Sequence, residues 1–233
     1  MRTSARRPGK SLNRDPKENR GGSGFLNAAA LILAGGQGRR AGGSKLFMAF
    51  DGVYLVERLL EKMPALFSQV ILSCRAEEAA SFRRLFGSLF SGHDLRVVTD
   101  RAESVGPLEG ISVGLHASDY PWVFVFGCDM PMIQDAVVRF MWSKKAPETD
   151  AVIARIGGFI EPLHAFYHKR CAVAVDEAIT RCERKISSFL ANVTPLIVNE
   201  KDMEHIPGFK RSFMNINTPA DMRKWLEETS GSF

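Results

Sequence analysis

The sequence predicts a single-domain α/β protein with a mostly parallel, open sheet and helices on both faces, an arrangement of the Rossmann-like kind. Short apolar runs of strand length alternate with helix-length segments, which is the pattern of parallel strands joined by helical crossovers. The runs are apolar almost throughout rather than at alternate positions, as expected for strands covered on both faces. The chain has 233 residues, of which 45% are hydrophobic, and this suffices for one such core.

Six apolar runs predict strands, and the segments between them predict helices. The predicted strands are Ala29–Ala34, Val70–Ser73, Leu95–Thr99, Trp122–Phe126, Ala151–Ala154 and Leu196–Val198. The predicted helices are Val53–Phe67, Glu77–Phe90, Leu108–Ala117, Ile133–Ser143 and Cys171–Arg181. A last helix is expected at Pro219–Glu228, because Thr218 is a good N-cap and proline suits the first helical position.

Residues 1–27 differ from the rest in composition and are expected to form a disordered basic tail. They hold seven cations and two anions, which accounts for the whole formal net charge of +5. The remaining residues 28–233 are therefore charge-balanced and are expected to form one folded domain. A basic nucleic-acid-binding face on that domain has no support, so we expect no nucleic-acid partner.

The chain shows no sign of a membrane segment or an export signal. No apolar run reaches the roughly 18 residues that cross a bilayer, and no apolar stretch follows the N-terminal arginines. The four cysteines lack CxxC spacing, which gives no support to a zinc or iron–sulfur site. Cys74 and Cys128 follow apolar runs, where buried reduced thiols are expected. We therefore expect a cytoplasmic protein without a membrane partner.

A glycine-rich loop follows directly on the first predicted strand. Five glycines fall between Gly35 and Gly43, and the loop also carries Arg40 and leads to Lys45. Glycines let backbone N–H groups approach an anion closely, and the cations supply the charge that a triphosphate needs. A flexible turn with solvated cations is the alternative interpretation. The position at the carboxyl end of a strand favours phosphate binding by this loop.

Two aspartates follow further strands and are predicted to reach the same edge of the sheet. Asp129 comes after the strand Trp122–Phe126, and a carboxylate there is a suitable ligand for Mg²⁺ beside a triphosphate. The alternative is an N-cap for the following helix. Asp100 follows Leu95–Thr99 and is predicted to contact the nucleotide or a water of the metal shell, with a turn or capping role as the alternative.

The second half of the chain gives weaker signals. The stretch Gly157–His164 looks like a loop that enters a strand and faces the acceptor. His164 and His168 have the spacing of a helical metal pair, but no supporting acid accompanies them, so a structural role is expected. Asn215-Ile216-Asn217 precedes the last helix, where its two amides either bind a ligand or shape a turn.

The motifs together resemble those of a known family. Leu33–Lys45, Asp100 with Gly106–Gly110, Cys128–Pro131, Glu161–Leu163 and Asn215–Pro219 occur in this order in the chain. In that order they resemble the molybdenum cofactor guanylyltransferases, over about residues 28–228. The resemblance implies a fold of the nucleotide-diphospho-sugar transferase type, with residues 28–233 as the nucleotidyltransferase domain. The chain departs from the family pattern at Ser44, where aspartate is usual, and at Ser73, where asparagine is frequent.

The resemblance also implies substrates and the roles of individual residues. GTP would be the donor, Mg²⁺ the cofactor and metal-loaded molybdopterin the acceptor, with molybdoenzymes and cofactor-assembly proteins as further partners. Asp129 would bind Mg²⁺ and Lys45 a phosphate. The remaining nucleotide-binding residues would be Leu33, Ala34, Gly35, Gly36 and Asp100, and the pterin side would be formed by Glu161, Pro162, Asn215 and Asn217.

The expected reaction is an in-line attack by the terminal phosphate of molybdopterin on the α-phosphorus of GTP. Arg40, Lys45 and Asp129 are its predicted catalytic residues, with Arg40 and Lys45 stabilising the pyrophosphate that leaves. One alternative is a cytidylyltransferase acting on molybdopterin or on a sugar or polyol phosphate. Another is a nucleotide-binding module without turnover.

Overall fold

The structure is a computed structural model, and it describes residues 24–34, 44–50, 52–87, 94–100, 106–218, 220, 221 and 223. Seven strands form one sheet in the order β5-β4-β1-β6-β8-β7-β9, and β2 and β3 form a small separate hairpin. The strands are β1 (Leu26–Leu33), β2 (Ala49–Phe50), β3 (Val53–Tyr54), β4 (Phe67–Cys74), β5 (Leu95–Thr99), β6 (Trp122–Gly127), β7 (Ala151–Ile156), β8 (Phe159–His168) and β9 (Pro195–Asn199).

Strand direction confirms the predicted, mostly parallel sheet. β1 pairs in parallel with β4 and β6, β4 with β5, and β7 with β9. Among the described strands of this sheet, β8 alone runs antiparallel to its two neighbours, β6 and β7. The described elements thus form a single α/β domain of the predicted class.

Helices cover both faces of the sheet, because the buried strands present apolar side chains alternately to each side. One core contains Ala30 and Ile32 of β1, and the opposite core contains Leu31 and Leu33. The first is covered by α1, α2 and α4, and the second by α3, α5 and α6. The helices are α1 (Leu55–Lys62), α2 (Ala76–Phe86), α3 (Pro107–Ala117), α4 (Asp135–Ser143), α5 (Cys171–Thr180) and α6 (Ser187–Leu190).

The order of the strands locates the crevice of the sheet. From β1 the chain proceeds to β4 and β5 on one side, whereas β6 lies on the other side of β1. In open α/β sheets, ligands bind at such a switch point, at the carboxyl ends of the strands. Helix α3 lies close to this edge: a Cβ on Gly110 would stand 2.8 Å from Leu33 Cδ2 and 3.0 Å from Ser73 Oγ.

Several predicted boundaries were wrong, and packing explains why. The strand predicted at Ala29–Ala34 begins at Leu26, within the segment assigned to the tail, because Leu26 is buried and pairs with Phe67. The helix predicted at Val53–Phe67 ends at Lys62, and Phe67 opens β4, where it stacks on Phe124 at 5.6 Å between ring centroids. Apolar residues continue across this junction, so periodicity alone does not reveal it.

The sequence also missed most of β8. The turn Gly157–Gly158 leads directly into a ten-residue strand, where the stretch Gly157–His164 was predicted to be a loop that enters a strand. Its register against β7 jumps from Ala165, opposite Ile153, to Glu161, opposite Ala154. The bulge contains Pro162, which lacks the N–H that a regular ladder requires. A proline among polar residues does not look like a strand in sequence.

Thr218 caps the C-terminal helix as predicted. Its Oγ accepts a hydrogen bond from the Asp221 amide at 3.2 Å, and the Asp221 carboxylate accepts one from the Thr218 amide at 2.9 Å. Ala220, Asp221 and Arg223 are helical, and the rest of the predicted Pro219–Glu228 helix lies outside the described residues. No helix in the described parts of the chain has the length and apolar character needed to cross a bilayer.

Candidate functional site

The glycine-rich loop begins and ends at the switch point of the sheet. Leu33 closes β1, and its carbonyl accepts a hydrogen bond from the Cys128 amide at 3.0 Å. The Ala34 amide donates to the Ser73 carbonyl at 2.8 Å, so both residues line the edge between β4 and β6. The predicted loop residues Gly35, Gly36 and Arg40 lie outside the described residues.

Three side chains predicted for the site meet at one point. The Lys45 ammonium pairs with Asp129 Oδ2 and also donates to Asn217 Oδ1 at 3.3 Å. The Asp129 side chain is only 15% exposed, so this ion pair is partly shielded from water. Lys45 follows the loop, Asp129 follows β6, and Asn217 was predicted for the acceptor side. The predicted nucleotide and acceptor subsites therefore meet at Lys45.

The backbone around Asp129 is held on two sides. The Ile216 amide donates to the Asp129 carbonyl at 2.7 Å, and Ile216 itself is buried. The Met130 amide donates to the Gly127 carbonyl at 3.1 Å, closing a turn after β6. A side chain on Gly127 would overlap Asp129 Oδ1, so the carboxylate occupies the space that the glycine leaves.

We expect Gly127→Ala to reduce turnover by about 10- to 100-fold, because the new methyl group displaces the Asp129 carboxylate by a fraction of an ångström to an ångström. The overlap should also cost roughly 1–3 kcal/mol of stability. Steady-state rates normalised to folded protein, together with thermal unfolding, measure both effects. Gly87→Ala is the control, because nothing lies within 4 Å of a Cβ at Gly87. Equal rates for the two variants would contradict the expectation.

Ser44 takes part in a local network that explains how serine is accommodated before Lys45. Its Oγ accepts a hydrogen bond from the Leu46 amide at 3.2 Å and caps the short 3-10 helix Lys45–Phe47. The same hydroxyl bonds the carboxylate of Glu78, a residue of α2 that is 5% exposed. Burial raises the pKa of Glu78, but the hydrogen bonds from Arg75 and Ser44 outweigh it and hold the pKa below its ordinary value.

We expect Ser44→Asp to destabilise the protein by roughly 1–3 kcal/mol, because it places a second carboxylate against that of Glu78 in a site of low polarity. Ser44→Ala should cost less, about 1 kcal/mol, since it removes a cap without adding a charge. Denaturant unfolding measures both. Adding Glu78→Gln should recover much of the loss caused by Ser44→Asp, and a Ser44→Asp variant as stable as the parent would contradict the expectation.

Asp100 lies where it was predicted, beside the crevice, but in an acidic neighbourhood. Its amide donates to the Cys74 carbonyl at 3.2 Å, and its Oδ1 accepts a hydrogen bond from Ser73 Oγ at 3.0 Å. Burial raises the pKa of the Asp100 carboxyl, and the hydrogen bond from Ser73 opposes the rise. The charges of Glu109 and Glu78 raise it further. A half-buried carboxylate at this edge can accept hydrogen bonds from the N–H groups of a ligand.

The residues predicted for the acceptor reach the same edge through β8. His164 pairs with Phe126, so the preceding residues Glu161 and Pro162 extend past the end of β6, on the side of Asp129. Burial raises the pKa of the Glu161 carboxyl. Asn215 is exposed and precedes the buried Ile216. The structure therefore brings these residues to the edge of the sheet, and of the predicted acceptor set Asn217 contacts Lys45 directly.

Cys74 and Cys128 are buried free thiols as predicted, and His164 and His168 lie on a strand. Cys74 and Cys128 are free and buried, and burial raises the pKa of each thiol to about 12, so neither is a nucleophile near neutral pH. His164 is fully buried in β8, and burial lowers its pKa to about 3. A strand does not bring His164 and His168 together as a helix would.

The described residues contain no cluster of three or more histidine, cysteine, aspartate or glutamate side chains suited to a metal ion. A Mg²⁺ ion nevertheless fits here, because Mg²⁺ commonly takes one or two carboxylates and completes its shell with phosphates and water. Asp129 would supply the carboxylate. The Asp129 and Asn217 oxygens already converge on one cationic group, the Lys45 ammonium, so the centre is built to receive positive charge.

The sequence did not predict three features of the centre. The contact between Lys45 and Asn217 joins residues 172 positions apart, and no local pattern reports such a distance. Glu78 looks like an ordinary charge in the first turn of a helix. The close contact at Gly127 could have been predicted, since a glycine at the end of a buried strand often marks a place where another group approaches the backbone closely.

An open, mostly parallel sheet in which a lysine pairs with a carboxylate at the end of a strand has the architecture of a nucleotidyltransferase. The family model described as a MobA-like NTP transferase domain matches residues 30–196. The chain belongs to that family.

Relatives and solved structures agree with this assignment. A molybdenum cofactor guanylyltransferase from Syntrophotalea carbinolica is 31% identical over 204 residues, which is 87% of this chain and 92% of the relative. The molybdopterin-guanine dinucleotide biosynthesis protein A of Archaeoglobus fulgidus has a similar structure, with a TM-score of 0.70 and 29% identity over 87% of this chain and 99% of that chain. The 4-diphosphocytidyl-2C-methyl-D-erythritol synthase of Anaerococcus prevotii shares the fold, with a TM-score of 0.64 and 14% identity over 87% of this chain and 96% of that chain.

Proposed function

We propose that this protein transfers GMP from GTP to the terminal phosphate of metal-loaded molybdopterin, forming molybdopterin guanine dinucleotide and releasing pyrophosphate. The observation that supports it most strongly is the meeting of Lys45, Asp129 and Asn217 at the switch point of the sheet. The choice of a guanylyl donor and of the molybdenum cofactor as acceptor follows the names of its relatives, the molybdenum cofactor guanylyltransferases.

The reaction forms one bond and breaks one bond. An oxygen of the acceptor phosphate attacks the α-phosphorus of GTP, and the bond between that phosphorus and the bridging oxygen of pyrophosphate breaks. The acceptor phosphate is already ionised near neutral pH, so no general base is required. Lys45 stabilises the negative charge that moves onto the leaving pyrophosphate, and Arg40 of the loop is proposed to assist it.

Asp129 is the residue proposed to hold Mg²⁺, which would supply positive charge to offset the negative charge that develops on the phosphates. In the protein alone, Lys45 neutralises this carboxylate. When GTP binds, its phosphate oxygens offer the Lys45 ammonium a second set of acceptors. The Asn217 side chain, which accepts a hydrogen bond from Lys45, would orient the acceptor phosphate, and Glu161, Pro162 and Asn215 would form the pterin side.

The nucleotide itself is proposed to lie over the ends of β1 and β5. Leu33, Ala34, Gly35 and Gly36 would contact it through the backbone. Asp100 would accept hydrogen bonds from the base, because its side chain is half-buried at the crevice and offers oxygen acceptors. Guanine presents N–H donors to such a carboxylate, which fits GTP as the donor.

The decisive test is pyrophosphate release by purified protein with Mg²⁺ and metal-loaded molybdopterin, comparing GTP with CTP. We expect release with GTP and formation of the guanine dinucleotide. Release with CTP alone would move the protein to the cytidylyltransferases while leaving the site intact. GTP binding without release of pyrophosphate, with either nucleotide, would overturn the proposal and indicate a nucleotide-binding module without turnover.

A further inference from the structure

The position of Asn217 depends on an irregular segment, residues 206–217, here called the C-terminal arm. It contains the 3-10 helix Phe209–Phe213 and then an extended stretch, and it forms no strand of the sheet. An irregular segment has no hydrogen-bond ladder to fix its position, so side chains and caps must fix it. The arm nevertheless brings Ile216 to the Asp129 carbonyl and Asn217 to Lys45.

A buried relay of hydrogen bonds anchors the arm at Ser212. The backbone N–H of Gln134 donates to Ser212 Oγ at 2.9 Å, and Ser212 Oγ lies 2.7 Å from His164 Nε2. Ser212 and His164 are both fully buried. The Ser212 oxygen therefore accepts from the Gln134 backbone N–H, and a second hydrogen bond joins the Ser212 hydroxyl to His164 Nε2.

The environment keeps His164 uncharged and packed in place. Burial lowers the pKa of His164 to about 3, so the ring is neutral near neutral pH. The Phe213 ring, which belongs to the arm, packs on it with 4.2 Å between ring centroids. His164 therefore contacts the arm through a hydrogen bond to Ser212 and through the ring of the next residue.

The relay connects the arm to both sides of the loop that carries Asp129. His164 pairs with Phe126, three residues before Asp129, and Gln134 lies five residues after it. The Gln134 side chain adds a second tie, since its Nε2 donates to the Gly208 carbonyl at 2.9 Å. The arm is thus anchored to the loop that follows β6 and to β8, which pairs with β6, so its position is fixed relative to the Asp129 carboxylate.

We propose that Ser212 and His164 are positioning residues, which set the C-terminal arm so that Asn217 meets Lys45 and Asp129. Neither residue is placed to touch substrate, and neither exchanges a proton in the reaction. The inference rests on the proposed function only where the effect is read as turnover. The placement of the arm can also be measured without substrate.

The test is a double-mutant cycle between Ser212→Ala and Asn217→Ala. Ser212→Ala leaves the Gln134 amide and His164 Nε2 without their shared partner, so the arm loosens. We expect turnover per folded molecule to fall about tenfold in the parent and by less than about twofold when Asn217 is already alanine. Additive losses in the two backgrounds would overturn the proposal, because a purely structural serine would not depend on Asn217.

A matched control and a direct readout complete the experiment. Ser118 is also buried, and its hydroxyl bonds both the amide and the carbonyl of Tyr120, at 3.1 and 3.0 Å. Ser118→Ala should lower thermal stability without coupling to Asn217. Hydrogen exchange in the protein without ligands should rise at the Ile216 amide in Ser212→Ala, and not in Ser118→Ala. Unchanged exchange at Ile216 would also overturn the proposal.

Gln134→Ala provides a milder variant should Ser212→Ala fold poorly. It removes the outer tie to the Gly208 carbonyl but keeps the backbone amide that donates to Ser212. We expect faster exchange in the arm and a smaller loss of turnover that is again coupled to Asn217. If hydrogen exchange at Ile216 rises in these variants but the parent transfers no GMP, the positioning role is retained and the proposed function is rejected. If the parent transfers GMP and neither Gln134→Ala nor Ser212→Ala lowers the rate, the proposed function is retained and the positioning role is rejected.

Discussion

Replacing Asp129 with asparagine is expected to lower the rate of pyrophosphate release by about 10²- to 10³-fold with little change in the fold. Asparagine keeps the size of the side chain and leaves the bond between the Ile216 amide and the residue's carbonyl in place. It removes the negative charge that Lys45 pairs with and that a divalent ion would need. Rates at saturating GTP and acceptor, measured over a range of Mg²⁺ concentrations, report the loss.

Asp135→Asn is the control for that variant, because Asp135 belongs to a similar pair on the same stretch of chain. Its carboxylate lies 3.3 Å from the Lys62 ammonium, but both side chains of this pair are exposed to solvent. Its removal should leave the rate unchanged, as expected for a surface ion pair. An Asp129→Asn enzyme that turns over like Asp135→Asn would show that the metal is held elsewhere.

Replacing Lys45 with methionine is expected to lower kcat/KM for GTP by about 10²-fold, because a charge-assisted contact to phosphate is lost. Methionine retains the aliphatic stem, so the change is confined mainly to the ammonium group. The Asp129 carboxylate and the Asn217 amide then lose their shared partner. Initial rates at varied GTP separate the effect on binding from the effect on turnover.

The Lys45 and Asp129 variants should also be non-additive, since both residues act at one centre. We expect Lys45→Met to cost much less when Asp129 is already asparagine. Lys62→Met is the matched control on the exposed pair, and its effect on stability is removed by counting folded protein only. Fully additive losses for Lys45 and Asp129 would mean that the two residues serve separate steps.

Much of the fold could be predicted from the sequence because its strands are buried on both faces. Leu95–Thr99 has the predicted bounds, and Trp122–Phe126 is only one residue short. Errors occur where apolar residues run through a junction, as at Phe67, or where polar residues and a proline occupy a strand, as around Pro162. In both cases tertiary pairing decides the structure, and local propensity does not report it.

Within the candidate site, the residues at the ends of strands were the ones that the sequence could predict. Asp129 and Asp100 could be placed because the carboxyl ends of parallel strands share an edge. The burial of Glu78 and its bond to Ser44 depend on how α2 packs beside the loop, which no spacing encodes. His164 illustrates the same limit: its structural role was predicted, but its partner Ser212 is 48 residues away in the chain.

The long sequence separation within the centre also orders its formation during synthesis. Lys45 and Asn217 are 172 residues apart, so a ribosome working at about 5–20 residues per second adds Asn217 on the order of ten seconds or more after Lys45. Asp129 is added 84 residues after Lys45, so in the later part of that interval the chain contains both residues of the ion pair but has no C-terminal arm. A chain released before Ser212 therefore retains most of the sheet and lacks the anchor of the arm. Translation to the far end of the arm is the step that turns a folded sheet into a finished catalyst.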